Sequence, residues 1–140
     1  MSNANLLITK LNAGVAAGTS QVDSSILDMS GYEGAVIFSA IATADPANYL
    51  KIAQGNQSNL SDGADIAGSK VVAAANGQVV GVEIFQPSDR YLRASIIRGV
   101  STAAGEIYAI QYGGRKKPPN NVITNVMNIL QKVSPDEGVA

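Results

Sequence analysis

The 140-residue chain carries 10 Lys plus Arg against 11 Asp plus Glu, with 15% charged and 46% apolar residues. That suits one packed domain with extensions and gives no overall pull toward nucleic acid or anionic membrane. It has no cysteine and no histidine, which excludes disulfides, thiolate and Ser-His-Asp chemistry, and the usual zinc and iron ligand sets.

The apolar residues are mostly Ala, Val and Ile, more surface than a lone monomer usually covers, so an assembly component is expected. The opening M-S-N-A-N-L-L-I-T-K lacks a charged start and a sustained apolar run. No stretch approaches the roughly 20 apolar residues of a membrane span. The expectation is a soluble protein that stays where it is made.

Runs of apolar residues alternate with Gly, Asn, Asp, Ser and Pro clusters, the spacing of short strands joined by turns. In chain order the candidates are Asn5 to Leu11, Thr19 to Leu27, Ala35 to Thr43, Tyr49 to Gln54, Lys70 to Ala75, Gln78 to Phe85, Tyr91 to Arg98 and Glu106 to Tyr112. Eight such segments predict an all-β sandwich. Leu6, Leu7 and Ile8 are either the first strand or an N-terminal arm. Ala35 to Ala42 is apolar on both alternating faces, which predicts a central strand or an interface. Asp45-Pro46-Ala47-Asn48 reads as a turn, with Asp bonding backbone, and residues 55–68 as a polar, exposed loop.

Asn76-Gly77, between K-V-V-A-A-A and Q-V-V-G-V-E-I-F, is the strongest local signal, because Asn-Gly supplies the positive φ of a type I′ hairpin. A two-residue register would set Ala75 against Gln78, Val71 against Val82 and Lys70 against Glu83. In Q-P-S-D-R-Y, residues 86–91, Asp89 is expected to bond the turn backbone and Arg90 to pair locally. Tyr108, Ile110 and Tyr112 share one face of the last strand. Packing against the core is the default for that face, and a subunit contact the alternative.

The chain then breaks at G-G-R-K-K-P-P, residues 113–119, before an apolar tail too small to fold alone. Residues 1–12 are thus a strand or arm, 13–114 a sandwich body and 115–140 a hinge and C-terminal arm. Tail positions 122, 126, 129, 130 and 133 fit a helical stripe, while their Val, Ile, Thr and Asn content favours an extended segment, the preferred form. Arg115, Lys116 and Lys117 are expected to dock electrostatically on a partner, Pro118 and Pro119 to stiffen the arm, and Val122, Ile123, Val126, Met127, Ile129 and Leu130 to bury apolar surface against it. Arg90, Arg93 and Arg98 are expected to be solvated or bonded within the body.

Nothing in the chain assembles into a catalytic or cofactor site. Asp62 and Asp65 are close in sequence, but D-G-A-D lacks further oxygen ligands and reads as a turn. G-Y-E-G, residues 31–34, has no Lys-Ser/Thr to cradle phosphate. The five tyrosines are scattered, not grouped to stack bases.

L-I-T-K-L-N at 7–12, Y-E-G at 32–34, Q-P-S-D-R-Y-L-R at 86–93, I-Q-Y-G at 110–113 with R-K-K-P after it, and the closing S-P-D-E-G together resemble the capsid cement, or decoration, proteins of tailed bacteriophages. The resemblance spans nearly the whole chain and rests on the order of motifs that are individually weak. It implies a jelly-roll body, a homodimer on the outer surface of an icosahedral virion shell, and arms that clamp neighbouring copies of the major capsid protein. It implies synthesis in the host cytoplasm and no enzyme activity, cofactor, metal, membrane, nucleic-acid or small-molecule substrate. Two rival readings are a carbohydrate-binding jelly-roll module of a phage fibre, which the absence of Trp disfavours, and a tail or neck structural protein.

Overall fold

Eight long strands, four of them broken once, make up the computed structural model of the chain, which describes residues 6–114. The segments in chain order are β1 (Leu6–Asn12), β2 (Val15–Gly18), β3 (Val22–Asp23), β4 (Leu27–Asp28), β5 (Gly34–Ile41), β6 (Asn48–Gly55), β7 (Ala64–Asp65), β8 (Val71–Val72), β9 (Gln78–Phe85), β10 (Tyr91–Arg98), β11 (Thr102–Ala104) and β12 (Ile107–Tyr112). β1 and β2 lie in line along β12 and β11; β3 and β4 share β10; β7 and β8 share β6. One sheet, called A, therefore runs β1/β2, β11/β12, β5, β9, and the other, B, runs β3/β4, β10, β6, β7/β8. Numbering the long strands one to eight gives orders 1-8-3-6 and 2-7-4-5. Every connection but the fourth-to-fifth crosses between the sheets, which is the jelly-roll arrangement of a β-sandwich.

The alternation of each strand sends one set of side chains into the space between the sheets. β5 contributes Ala35, Ile37 and Ile41, β6 Leu50 and Ile52, β10 Leu92, Ala94 and Ile96, and β12 Ile107 and Ala109, all buried. The expected centrality of Ala35 to Ala42 holds, since β5 is flanked by β12 and β11 on one side and β9 on the other.

Buried polar groups close one end. Arg98 is enclosed, its Nε donating to the Ser20 carbonyl at 2.6 Å and its Nη1 to the carbonyls of Ala16 at 2.9 Å and Thr102 at 3.0 Å. Asn48 donates to the Thr43 carbonyl at 3.1 Å and accepts from the Val100 amide at 3.0 Å. The predicted turn precedes it, with the Ala47 amide on the Asp45 carboxylate at 2.8 Å. At the other end Gln111 donates to the Asp28 carbonyl at 2.8 Å.

Three of the expected strands and turns fail. Thr19 to Leu27 is not one strand, because Ser24 enters the ladder with its side chain: its amide donates to the Ala94 carbonyl while its Oγ accepts the Ala94 amide at 3.0 Å. The Lys70 to Ala75 segment is strand only at Val71–Val72. The Asn76-Gly77 hairpin does not form either. A turn is present, with the Gln78 amide on the Ala75 carbonyl at 3.2 Å and φ of +74° at Gly77, but Asn76 is not in the positive-φ region. Its two arms go to opposite sheets: β8 pairs Val71 with Leu50, and β9 pairs Gln78 through Phe85 with Ile41 back to Gly34. β9 gains a full-length ladder against a central strand and buries Val80, with Val82 and Ile84 packed against the core, which a two-stranded hairpin could not offer. Lys70 lies 4.3 Å over the Tyr49 ring instead of facing Glu83.

Candidate docking face

The outer surface of sheet A is a grid that can be read from its pairing. Directly opposed residues share a face, so successive rows across four strands are Leu6, Tyr112, Gly34, Phe85; then Ile8, Ile110, Val36, Glu83; then Lys10, Tyr108, Phe38, Gly81; with Ala40 beside Val79 beyond. Most of these positions are apolar and none is buried in the core except Gly34. Val79 and Phe85 are 63% and 60% exposed. Leu6, Leu7 and Ile8 thus belong to a paired strand, not to an arm. Tyr108, Ile110 and Tyr112 do share a face, but it is the outer one, against the default of packing into the core.

Two aromatic contacts organise the grid. The Tyr108 ring lies against Phe38 at 5.8 Å between centroids, and its hydroxyl donates to Glu106, which also pairs with Lys10 at 3.3 Å. Hydrogen bonding to Tyr108 and to Lys10 lowers the Glu106 carboxyl below its ordinary range, while the same Glu106 bond raises the Tyr108 hydroxyl. Tyr112 crosses β5 where Gly34 leaves room; a Cβ there would lie 2.5 Å from the tyrosine Cζ. Its hydroxyl donates to Glu83 on β9 at 2.6 Å, and that bond pushes its pKa up to about 12. Both phenols are therefore neutral at any physiological pH, and the face stays apolar with its charges tied down at the margins.

The outer surface of sheet B is built differently. Lys51 pairs with Asp65 at 2.8 Å, and Ser95 and Gln21 donate to Asp23 at 2.6 and 2.7 Å. Burial raises the Asp23 carboxyl, but the bonds from Ser95 and Gln21, with Arg93 and Lys51 nearby, leave it lowered. Arg93 stands among them with its Nε buried and without a hydrogen-bond partner among the described residues. Arg90 does not pair locally as expected: its Nε and Nη2 grip Asp28, distant in sequence, at 3.0 and 2.9 Å. Asp89 receives the Asn56 side-chain amide at 3.0 Å instead of bonding its own turn.

A cleft of about 580 Å3 opens between the chain-reversal loops at the Gln111 end, lined by Tyr32, Glu33, Asn56, Gln86, Asp89 and Arg90 among others. Asp62 and Asp65 are taken up separately, Asp62 capping the Asn56 and Gln57 amides at 2.8 and 3.1 Å and Asp65 in its ion pair. Among the described residues no three His, Cys, Asp or Glu side chains gather to hold a metal. Arg115, Lys116, Lys117, Pro118, Pro119, Val122, Ile123, Val126, Met127, Ile129 and Leu130 lie outside the described residues. What sequence reasoning missed is the breadth of the face: the apolar run of β5 was expected to be central or at an interface, but only the strand order sets its outward residues beside those of β9 and β12.

No protein-family model matches the sequence, and no curated protein does.

Proposed function

We propose that this chain is a virion structural protein that binds the outside of an icosahedral phage shell and cements neighbouring major capsid protein subunits. The observation that carries this is the outer face of sheet A, where Val36, Phe38, Val79, Phe85, Tyr108 and Ile110 present apolar surface that a solitary protein leaves wet. Three of the segments behind the cement-protein resemblance meet in that sheet: Leu7 and Ile8 pair with Gln111 and Ile110, and Gly34 pairs with Tyr112. The described residues end at Gly114, just past β12 in that sheet.

Many copies on one lattice need only modest individual contacts. Each that bridges subunits raises the effective concentration of the next, and binding only the assembled shell stabilises that state by mass action. The test is co-sedimentation of the purified chain with shells stripped of it. Val36→Lys/Ile110→Lys should abolish decoration while the far-ultraviolet circular dichroism stays β-rich, and deletion of residues 118–140 should do the same. Full occupancy by a folded Val36→Lys/Ile110→Lys variant would sink the assignment of the face, and full occupancy by the truncated chain would sink that of the arm.

One observation favours a second reading, a carbohydrate-binding module: the cleft beside Tyr32 is polar and bounded by hydrogen-bonding side chains. Saturable binding on a glycan array, lost in Tyr32→Ala, would establish it. Absence of any saturable signal would dismiss it.

A further inference from the structure

The edges of the two sheets are not alike. β1/β2 breaks after Asn12, β3/β4 breaks at Ser24, and β7/β8 is two separate residue pairs. Such interruptions blunt an edge against stray pairing. β9 has none of them. It pairs with β5 over eight consecutive residues without a register shift, and no strand lies on its other side among the described residues. Its text Q-V-V-G-V-E-I-F contains no lysine and no proline, and it holds the two most exposed large apolar side chains of the face, Val79 and Phe85.

We propose that β9 is a self-complementary edge through which two copies of this chain join antiparallel, about a two-fold axis passing Val82. Residues 79, 81, 83 and 85 face outward and 80, 82 and 84 inward. Antiparallel pairing that keeps both outer faces on one side must set odd positions against odd ones, because a one-residue slip exchanges the faces. Centring on Val82 places Val79 of each copy opposite Phe85 of the other and Val80 opposite Ile84, and leaves Glu83 facing Gly81. Moving the centre to Glu83 would oppose two like carboxylates, which is unfavourable. Moving it to Gly81 would put Val79 against Glu83 and carry Phe85 past the strand end. One register satisfies both the apolar and the charged positions.

In that dimer the two A sheets become one, and the apolar outer faces form a continuous surface of twice the width. The cement-protein resemblance implies a homodimer without saying which surfaces join; the edge and register proposed for it hold whether or not the partner of the apolar face is a phage shell, so the test uses purified protein without shells.

The absence of cysteine makes the test clean. Val79→Cys/Phe85→Cys should give a covalent dimer on mild oxidation, seen on a non-reducing gel. Either single variant should form no covalent dimer, since its two thiols would lie roughly 20 Å apart along the strands. Sedimentation equilibrium of the unaltered chain should show a reversible dimer, weakened at least about 100-fold by Val79→Lys/Phe85→Lys, which places like charges along the edge. A purely monomeric unaltered chain, an undiminished dimer in the folded lysine variant, or cross-linking by the single variants would each overturn the proposal. Efficient cross-linking of Glu83→Cys alone would overturn the register.

Discussion

The two outer faces of this sandwich share a backbone plan and differ in what their strands point at solvent. On sheet B, charged and polar groups meet in pairs: Lys51 with Asp65, Ser95 with Asp23, Arg90 with Asp28. That face also carries Ile97, Tyr49 and Val72 in one row, whereas on sheet A the middle of the sheet is filled by Val36, Phe38, Tyr108 and Ile110, and the charges sit at the margins, held by Lys10 and by two tyrosines. A ladder of hydrogen bonds does not decide whether a sheet surface is finished. The side chains on it do, and sheet A carries apolar surface that water does not favour.

Loss of Arg98 should have the largest effect on stability, and it sharpens the contrast by leaving neither face intact. Arg98→Met strips three backbone carbonyls of their shared donor and should cost about 3 kcal/mol or more in thermal unfolding. A loss below about 1 kcal/mol would mean that water replaces the guanidinium without strain.

Gly34→Ala comes next and acts on sheet A. The methyl group would drive into the Tyr112 ring, so a destabilisation of about 1 to 3 kcal/mol is expected by chemical denaturation. An unchanged midpoint would show that the ring lifts away freely.

Tyr112 supplies a test in pH. Its folded value, about 12, lies above the ordinary phenol value of roughly 10, so folding favours the protonated hydroxyl. That contribution is fully present below pH of about 10 and is lost as the pH rises through the folded value. In Glu83→Gln, ultraviolet titration should find Tyr112 ionising nearer the ordinary range; no change would detach the shift from Glu83.

The smallest effect belongs to sheet B, where Lys51→Ala/Asp65→Ala should change stability by less than about 1 kcal/mol, because the carboxylate is well exposed and the pair is screened by salt. A larger loss would show that this face, too, depends on specific contacts.

Much of the architecture was legible in the sequence. Each of the eight candidate segments overlaps one of the eight long strands, because period-two alternation and turn residues are local properties. What local reasoning could not supply was partner choice. Asn76-Gly77 marks a true turn, yet β8 and β9 find better burial in different sheets than in each other. Arg90 pairs with Asp28 across 62 positions, a distance no spacing rule bridges. Arg98 was expected to be solvated or bonded within the body, and the second holds, but its acceptors, the carbonyls of Ala16, Ser20 and Thr102, come together only through the chain reversal. The outer face was half legible: Tyr108, Ile110 and Tyr112 were seen to share a side, while its direction depends on which sheet covers the other.

Electron cryomicroscopy of shells decorated with the full chain tests the central claim most directly, because it shows which face meets the lattice. Density placing Val36, Phe38 and Ile110 against major capsid protein subunits, with the Lys51 and Asp65 surface toward solvent, is the expected result. A reconstruction with sheet A exposed and sheet B against the shell, or shells that carry no such density at saturating protein, would contradict it.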